Sequence, residues 1–243
     1  MLLTLDIGNT SIKTGLFDNG KLTWCGKAPD AFALRRTLAE IPRPQAVAAC
    51  SVRPQQNEAV RTEIIELFDL PVLFLGEELQ VDIKILIDRP ETLGADRKAD
   101  AIAAYHHAGR RVIVADFGTA IAFDVISDAG EFIGGAIAAG VALSLEALHD
   151  HTALLPHVEP MEAPAAIGRN TEDAILAGVC GGLPGLVDRV IENIQAEYGG
   201  EFTVYATGTD STWVATHCRT VQKIIPDLTL EGLYLAWKKS SEF

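Results

Sequence analysis

Two stretches of the chain repeat one pattern of apolar and polar positions. Leu2 to Ile7 (LLTLDI) is nearly all apolar and runs into Asp6-Ile7-Gly8; Val112 to Phe117 (VIVADF) does the same into Asp116-Phe117-Gly118. Short continuous apolar runs closed by a glycine turn predict buried strands. A second strand follows each. Then comes a polar turn of the kind that closes hairpins, Asp18-Asn19-Gly20 or Asp128-Ala129-Gly130, and a third strand. Laid together without a gap, LDIGNTSIKTGLFDNGKL and ADFGTAIAFDVISDAGEF match Asp6 to Asp116, Gly8 to Gly118, Leu16 to Ile126, Asp18 to Asp128 and Gly20 to Gly130. Helical spacing then predicts helices over 31–39 and 56–67 in the first half, and over 144–149 and 171–198 in the second. The pattern predicts an α/β protein made of a duplicated domain, residues 1–111 and 112–243, with both Asp-x-Gly turns at a cleft between the halves.

Composition narrows the function. With 48% apolar and 22% charged residues, the 243-residue chain can bury two cores and is not of the disordered class. A net charge of -13 argues against nucleic acid as a partner, because a phosphate backbone needs a basic face. It also means that an anionic ligand must be held by local backbone N–H groups, a few basic side chains and metal ions. No apolar run approaches the roughly 20 residues of a membrane span. The opening MLLTLDIGNT has neither a basic stretch nor a small-residue cleavage site. A cytoplasmic protein with no membrane partner is expected. Cys25, Cys50, Cys180 and Cys218 lie far apart in sequence and read as buried thiols of a reducing compartment.

The first turn carries chemistry. In Asp6-Ile7-Gly8-Asn9-Thr10-Ser11-Ile12-Lys13, Gly8 admits close backbone approach. Asn9, Thr10 and Ser11 supply short donors beside backbone N–H groups, and Lys13 supplies a point charge: together, a cradle for phosphate oxygens. Asp6, at a strand end, suits a hydrated Mg²⁺. The same string could also be a tight hairpin turn alone; its pairing with Asp116-Phe117-Gly118-Thr119 favours the cradle. No Walker-type loop occurs. Further on, Gly94-Ala95-Asp96-Arg97 opens a predicted helix whose dipole would keep Asp96 ionised and able to take a proton from an alcohol attacking phosphorus. An ordinary helix-start Asp paired with Arg97 has the same local sequence. The pairs Arg35-Arg36 and Arg110-Arg111 read as solvated edges, and His149, His151 and His157 lack the spacing of a metal site.

The paired D-x-G motifs resemble those of the actin, sugar-kinase and heat-shock-ATPase superfamily. More closely, the chain resembles the type III pantothenate kinases, through DIGNTSIKTG, LGADR, DFGTAIAFDV, GGAIAAGVALSLEAL, IGRNT and LTLEGLYL in the family's order. The resemblance implies two ribonuclease-H-like (actin-like ATPase) domains and an ATP-dependent phosphorylation of pantothenate to 4′-phosphopantothenate, the first step of coenzyme A biosynthesis. It implies ATP, Mg²⁺ and a monovalent cation, K⁺ or NH₄⁺, and a homodimer with the acceptor pocket at its interface. By the same resemblance Asp96 is the general base, and Arg97 contacts a pocket lined by Gly94, Ala95, Asp96 and Arg97. Asp116 would hold the monovalent cation, Thr119 would contact ATP, and Thr171 would reach the substrate across the interface. Thr171 reads equally as the N-cap of the following helix, and the small-residue stretch 175–186 as a dimer helix or a buried one. Where the family has Tyr before Asp-x-Pro this chain has Ile87; Ala122, Ala139 and Thr209 also depart from its pattern. These changes keep open a different small alcohol as acceptor, or a non-catalytic regulatory homologue.

Overall fold

A computed structural model describes residues 1–241. The chain forms two compact units: Met1–Gly109 with Gly130–Phe132 and the segment from Asp227 onward, and Arg110–Ala129 with Ile133–Pro226.

The first unit opens with strands β1 (Leu2–Ile7), β2 (Ile12–Asp18) and β3 (Lys21–Ala28), helix α1 (Ala31–Leu38), β4 (Ala46–Ser51), α2 (Pro54–Phe68), β5 (Val72–Phe74) and α3 (Ala95–Ala108). Its sheet has the order β3-β2-β1-β4-β5, with β1 antiparallel to β2 and parallel to β4. The β2–β3 hairpin closes through Asn19 and Gly20, both at positive φ (46° and 83°), as a two-residue turn of the sequence D-N-G predicts. Asp30 caps α1 by accepting a hydrogen bond from the Ala33 N–H, and Pro54 starts α2, where its missing N–H costs no helical bond.

Central β1 is apolar almost throughout because both its faces are covered. Leu3, Leu5 and Ile7 alternate into a core with Leu34 and Leu38 of α1 and Val60 and Ile64 of α2. Leu2, together with Phe17, Ala48 and Cys50, lies in the opposite core, which Ala99 of α3 closes. By the same two-residue alternation Thr4 and Asp6 belong to this second face.

The second unit repeats the plan with β6 (Val112–Phe117), β7 (Ala120–Ile126), β8 (Phe132–Ala139), α4 (Val141–Asp150), α5 (Thr171–Tyr198), β9 (Thr203–Thr207), the one-turn α6 (Ser211–Val214) and β10 (Lys223–Ile224). Its sheet order is β10-β9-β6-β7-β8, the first order read from the other edge, and β6 is again antiparallel to its hairpin partner and parallel to the strand beyond. The two mixed sheets bear out the predicted duplicated α/β fold.

The repeat is not gapless in space. Ile7 pairs with Ile12, but Phe117 pairs with Ile121, so the second loop is one residue shorter. Lys13 therefore stands across from Asp6, and Ala122, not Phe123, stands across from Asp116. The longer β7–β8 connection restores the sequence match.

Three further expectations change. Helix α5 is long and apolar enough to cross a membrane by length and composition, although no such run was expected. Its glycines separate the apolar positions, and one stripe (Ile175, Leu176, Cys180, Leu183, Val187, Ile191) is buried in the second unit's core. Cys25 is exposed, on the edge strand β3, whereas Cys50, Cys180 and Cys218 are buried. Helix α7 (Leu228–Ser241) packs on α3 and β1, so a division after Arg111 would leave it with the wrong unit.

The α3–α7 contact is backbone-close. A Cβ added at Gly232 would lie 2.0 Å from the Ala99 carbonyl oxygen. Gly232→Ala should push the helices apart and cost about 1–3 kcal/mol, as overpacking does elsewhere. Urea unfolding measures it, and an unchanged midpoint would contradict the packing described.

Candidate active site

The first site is built at the end of β1. Strand pairing sets Lys13 on β2 and Cys50 on β4 on either side of Asp6, and the Cys50 thiol donates to Asp6 Oδ1 at 3.5 Å. Asp6 is pushed up to about 6 from its ordinary 3.8, chiefly by burial and next by the negative charge of Asp96; the Cys50 hydrogen bond and the Lys13 charge oppose the rise. The Cys50 thiol is itself raised well above its usual range, first by burial and then by Asp6 and Asp96. Asp6 and Asp96, 90 residues apart in sequence, are thus brought together by the fold.

The loop is closed by Gly8 N–H donating to the Ser11 carbonyl (3.1 Å) and is braced from α2's first residue side, where Arg53 Nη1 donates to the Asn9 carbonyl (3.0 Å). Gly8 does not use positive φ. Its value lies in space, since a Cβ there would stand 3.3 Å from Ser11 O. Asn9 and Thr10 are exposed and Ser11 half-buried, whereas Ile7 and Ile12 point into the core and leave only their backbone for a ligand. Lys13 Nζ lies 3.0 Å from Asp227 Oδ1.

Asp96 is in the first turn of α3. Helix α3 starts at Gly94, which provides no side-chain cap, and Asp96 Oδ1 accepts from the Arg97 N–H at 2.8 Å. A Cβ on Gly94 would meet that oxygen at 2.4 Å, which gives the glycine of Gly-Ala-Asp-Arg a physical reason. Burial raises Asp96 above its ordinary range; its hydrogen bond from Arg97 N–H and the Arg97 charge pull the other way. The Arg97 guanidinium lies over the Phe132 ring, 5.4 Å from its centre. Ile87 is half-buried, just beyond the bridge that joins Ile85 to Phe132.

The second unit gathers its own motifs around Asp116, at the end of β6. A Cβ on Gly208, which sits at φ +91°, would meet Asp116 Oδ1 at 2.4 Å, and Asp210 N–H donates to the Phe117 carbonyl at 3.1 Å. Thr119 is exposed at the loop tip, and its carbonyl accepts from Gly140 N–H (3.0 Å). Three motifs far apart in sequence, Asp116 to Thr119, Gly134 to Gly140 and Ala206 to Thr209, therefore meet at one end of the second sheet. Ala122 leaves Asp116 a methyl group across the strand pair where Asp6 has an ammonium.

Thr171 is the first residue of α5 and is exposed. The cap is Asn170, whose side chain accepts from Asp173 N–H at 2.8 Å, so the N-cap role considered for Thr171 falls to its neighbour. His149 meets His157, not His151, edge to face with ring centres 5.7 Å apart, and its Nδ1 bonds the Leu155 carbonyl. Among the described residues no three His, Cys, Asp or Glu side chains converge as a metal cage. A single strand-end carboxylate such as Asp6 nevertheless suits Mg²⁺, which keeps waters and phosphate oxygens as most of its ligands.

Sequence reasoning passed over Cys50, Arg53 and Asp227, whose partners lie 44, 44 and 214 residues away. Only Asp227 carried a local sign, as the polar residue just before the apolar helix LTLEGLYL.

Residues 2–193 match the family described as type III pantothenate kinase. The chain is 36% identical over 249 residues to the type III pantothenate kinase of Frankia alni, covering 99% of this chain and 100% of that protein. It is 35% identical over 254 residues to that of Moorella thermoacetica, with the same coverage. Among solved structures, it superposes on a Campylobacter jejuni protein assigned to the Baf family of transcriptional activators (TM-score 0.63, 19% identity, 99% and 100% coverage). It also superposes on a ROK family glucokinase from Streptomyces griseus in complex with glucose and AMPPNP (TM-score 0.56, 13% identity, 98% and 99% coverage). These structural likenesses speak for the fold.

A carboxylate raised to about 6 makes a pH signature. Between about pH 4 and 6 the folded chain keeps a proton on Asp6 that the unfolded chain has lost, so this group's contribution to stability falls as pH rises and is least above 6. Asp6→Asn removes that cost. Without nucleotide or Mg²⁺, the variant should gain on the parent by up to about 3 kcal/mol between pH 4 and pH 8 in urea unfolding. A difference that stays flat with pH would rule the burial effect out.

Proposed function

We propose a division of labour for this chain, which belongs to the type III pantothenate kinase family: Asp96 receives the proton of the acceptor hydroxyl while the turn from Asp6 to Lys13 holds the phosphates of ATP. The chain is an ATP-dependent kinase that converts pantothenate to 4′-phosphopantothenate, with ADP as the other product, at the entry to coenzyme A biosynthesis. The observation that carries the assignment of roles is that the fold brings half-buried Asp96 and Asp6 close enough to act on each other electrostatically. Burial raises Asp96 and so makes it a stronger proton acceptor, while the Arg97 N–H and charge favour its ionised form.

In this reading Asp96 orients the primary hydroxyl of pantothenate for in-line attack on the γ-phosphorus and takes its proton as the bond forms. Backbone N–H groups of residues 8–11, the hydroxyls of Thr10 and Ser11 and the Lys13 ammonium hold the phosphate oxygens. Thr119 is proposed as a further ATP contact. Asp6 would hold Mg²⁺, which would supply positive charge against the phosphates when bound. Asp116, at its strand end, would hold the monovalent cation, K⁺ or NH₄⁺. Arg97 reaches the acceptor across Phe132, and Gly94 and Ala95 line its pocket.

A cytoplasmic homodimer completes the proposal. Gly178, Gly182 and Gly185 of α5 have open space where a Cβ would stand, and Leu154, Met161 and Ile167 of the same unit are exposed. Both features suit burial against a second copy, with the exposed Thr171 contributing to the partner's acceptor pocket.

ADP release by the purified protein with Mg-ATP tests this. It should depend on pantothenate and on K⁺, and should fall sharply in Na⁺. Asp96→Asn should cut kcat by about 10²- to 10⁴-fold with ATP KM little changed. Equal turnover without an acceptor would overturn the kinase roles. A rate with another small alcohol but none with pantothenate would overturn pantothenate as the acceptor.

A further inference from the structure

The cation of the phosphate loop is tied to a helix that the loop's own sequence does not mention. Lys13 Nζ lies 3.0 Å from Asp227 Oδ1, both side chains about 30% exposed. Asp227 stands at the start of α7, where its carbonyl accepts from Glu231 N–H (3.0 Å). On its other side the Cys25 thiol of β3 hydrogen-bonds the same carboxylate. Helix α7 is in turn bolted to α3 at three points: Thr229 Oγ1 donates to Asp100 Oδ1 (2.7 Å), Gly232 lies on the Ala99 carbonyl, and Glu231 meets His107 Nε2 (2.6 Å). Helix α3 is the one that carries Asp96.

A lysine side chain has four rotatable bonds and roughly 2 kcal/mol of rotamer entropy, so an ammonium at a phosphate site gains from a fixed counter-ion. We infer that Asp227 is a positioning residue for nucleotide binding: it holds the Lys13 ammonium against the phosphate loop and, through α7, keeps that charge in register with the helix bearing Asp96. Asp227 touches no reacting atom; it acts through Lys13. The inference rests on the phosphate-cradle reading of residues 6–13.

A double-mutant cycle tests it, with the dissociation constant of Mg-AMPPNP read by calorimetry so that the identity of the acceptor does not enter. Lys13→Ala should weaken binding about tenfold or more, and Asp227→Asn about three- to fivefold. In the Lys13→Ala background Asp227→Asn should add nothing, and Asp227→Glu in the parent should restore most of the affinity. Loss through a damaged α7 would instead persist in the Lys13→Ala background and lower the unfolding midpoint of Asp227→Asn. Additive effects, or no effect of Asp227→Asn, overturn the role of Asp227 alone. A Lys13→Ala protein that binds Mg-AMPPNP like the parent overturns the cradle itself, and this inference with it.

Discussion

The register of β1 against its two neighbours governs the first site. Because side chains alternate along a strand, the position of Asp6 relative to Leu2 decides that its carboxylate lies on the face that α3 and α7 cover, opposite the face of Leu3, Leu5 and Ile7. The same pairing sets Lys13 and Cys50 across from it. A shift of one residue would turn the carboxylate toward α1 and α2 and part it from Lys13, Cys50 and Asp96 together. Burial on that face is also what lifts Asp6 to about 6, so geometry and electrostatics have a common cause.

Duplication gave the protein two copies of this arrangement, and they have diverged in one physical respect. Both strands end in Asp-x-Gly beside a parallel strand, and the two sheets share their strand order. The loop after Asp116 is one residue shorter, which exchanges a cross-strand lysine for an alanine. Asp6 therefore faces an ammonium across its strand pair, while Asp116 faces a methyl group and has the Gly208 backbone close to its carboxylate. The proposed split, phosphates on the first turn and a monovalent cation at the second, follows this difference.

Helix α7 explains why the chain returns to its first unit. Buried Leu230, Leu233 and Ala236 close the core beneath Asp6, Gly232 permits backbone-close packing on α3, and Asp227 reaches Lys13. One element thus supports both the proposed base and the proposed phosphate contact, which an amphipathic pattern in isolation does not announce.

Local chemistry made much of this legible in the sequence. The apolar run of β1, the Asp18-Asn19-Gly20 turn, the start of α3 after Gly94 and the full length of α5 all depend on contacts within a few residues, and each could be read from a short window. The motifs also sufficed to identify the resembled family. Tertiary structure alone decided the rest, because the deciding contacts join distant residues: the one-residue difference between the two loops, Cys50 beside Asp6, Asn170 rather than Thr171 as the cap, and α7 with the first unit. Sequence by itself determined which residues could bind phosphate or take a proton. Only strand register and helix packing determined which of them share a face, since charge and burial act through space rather than along the chain.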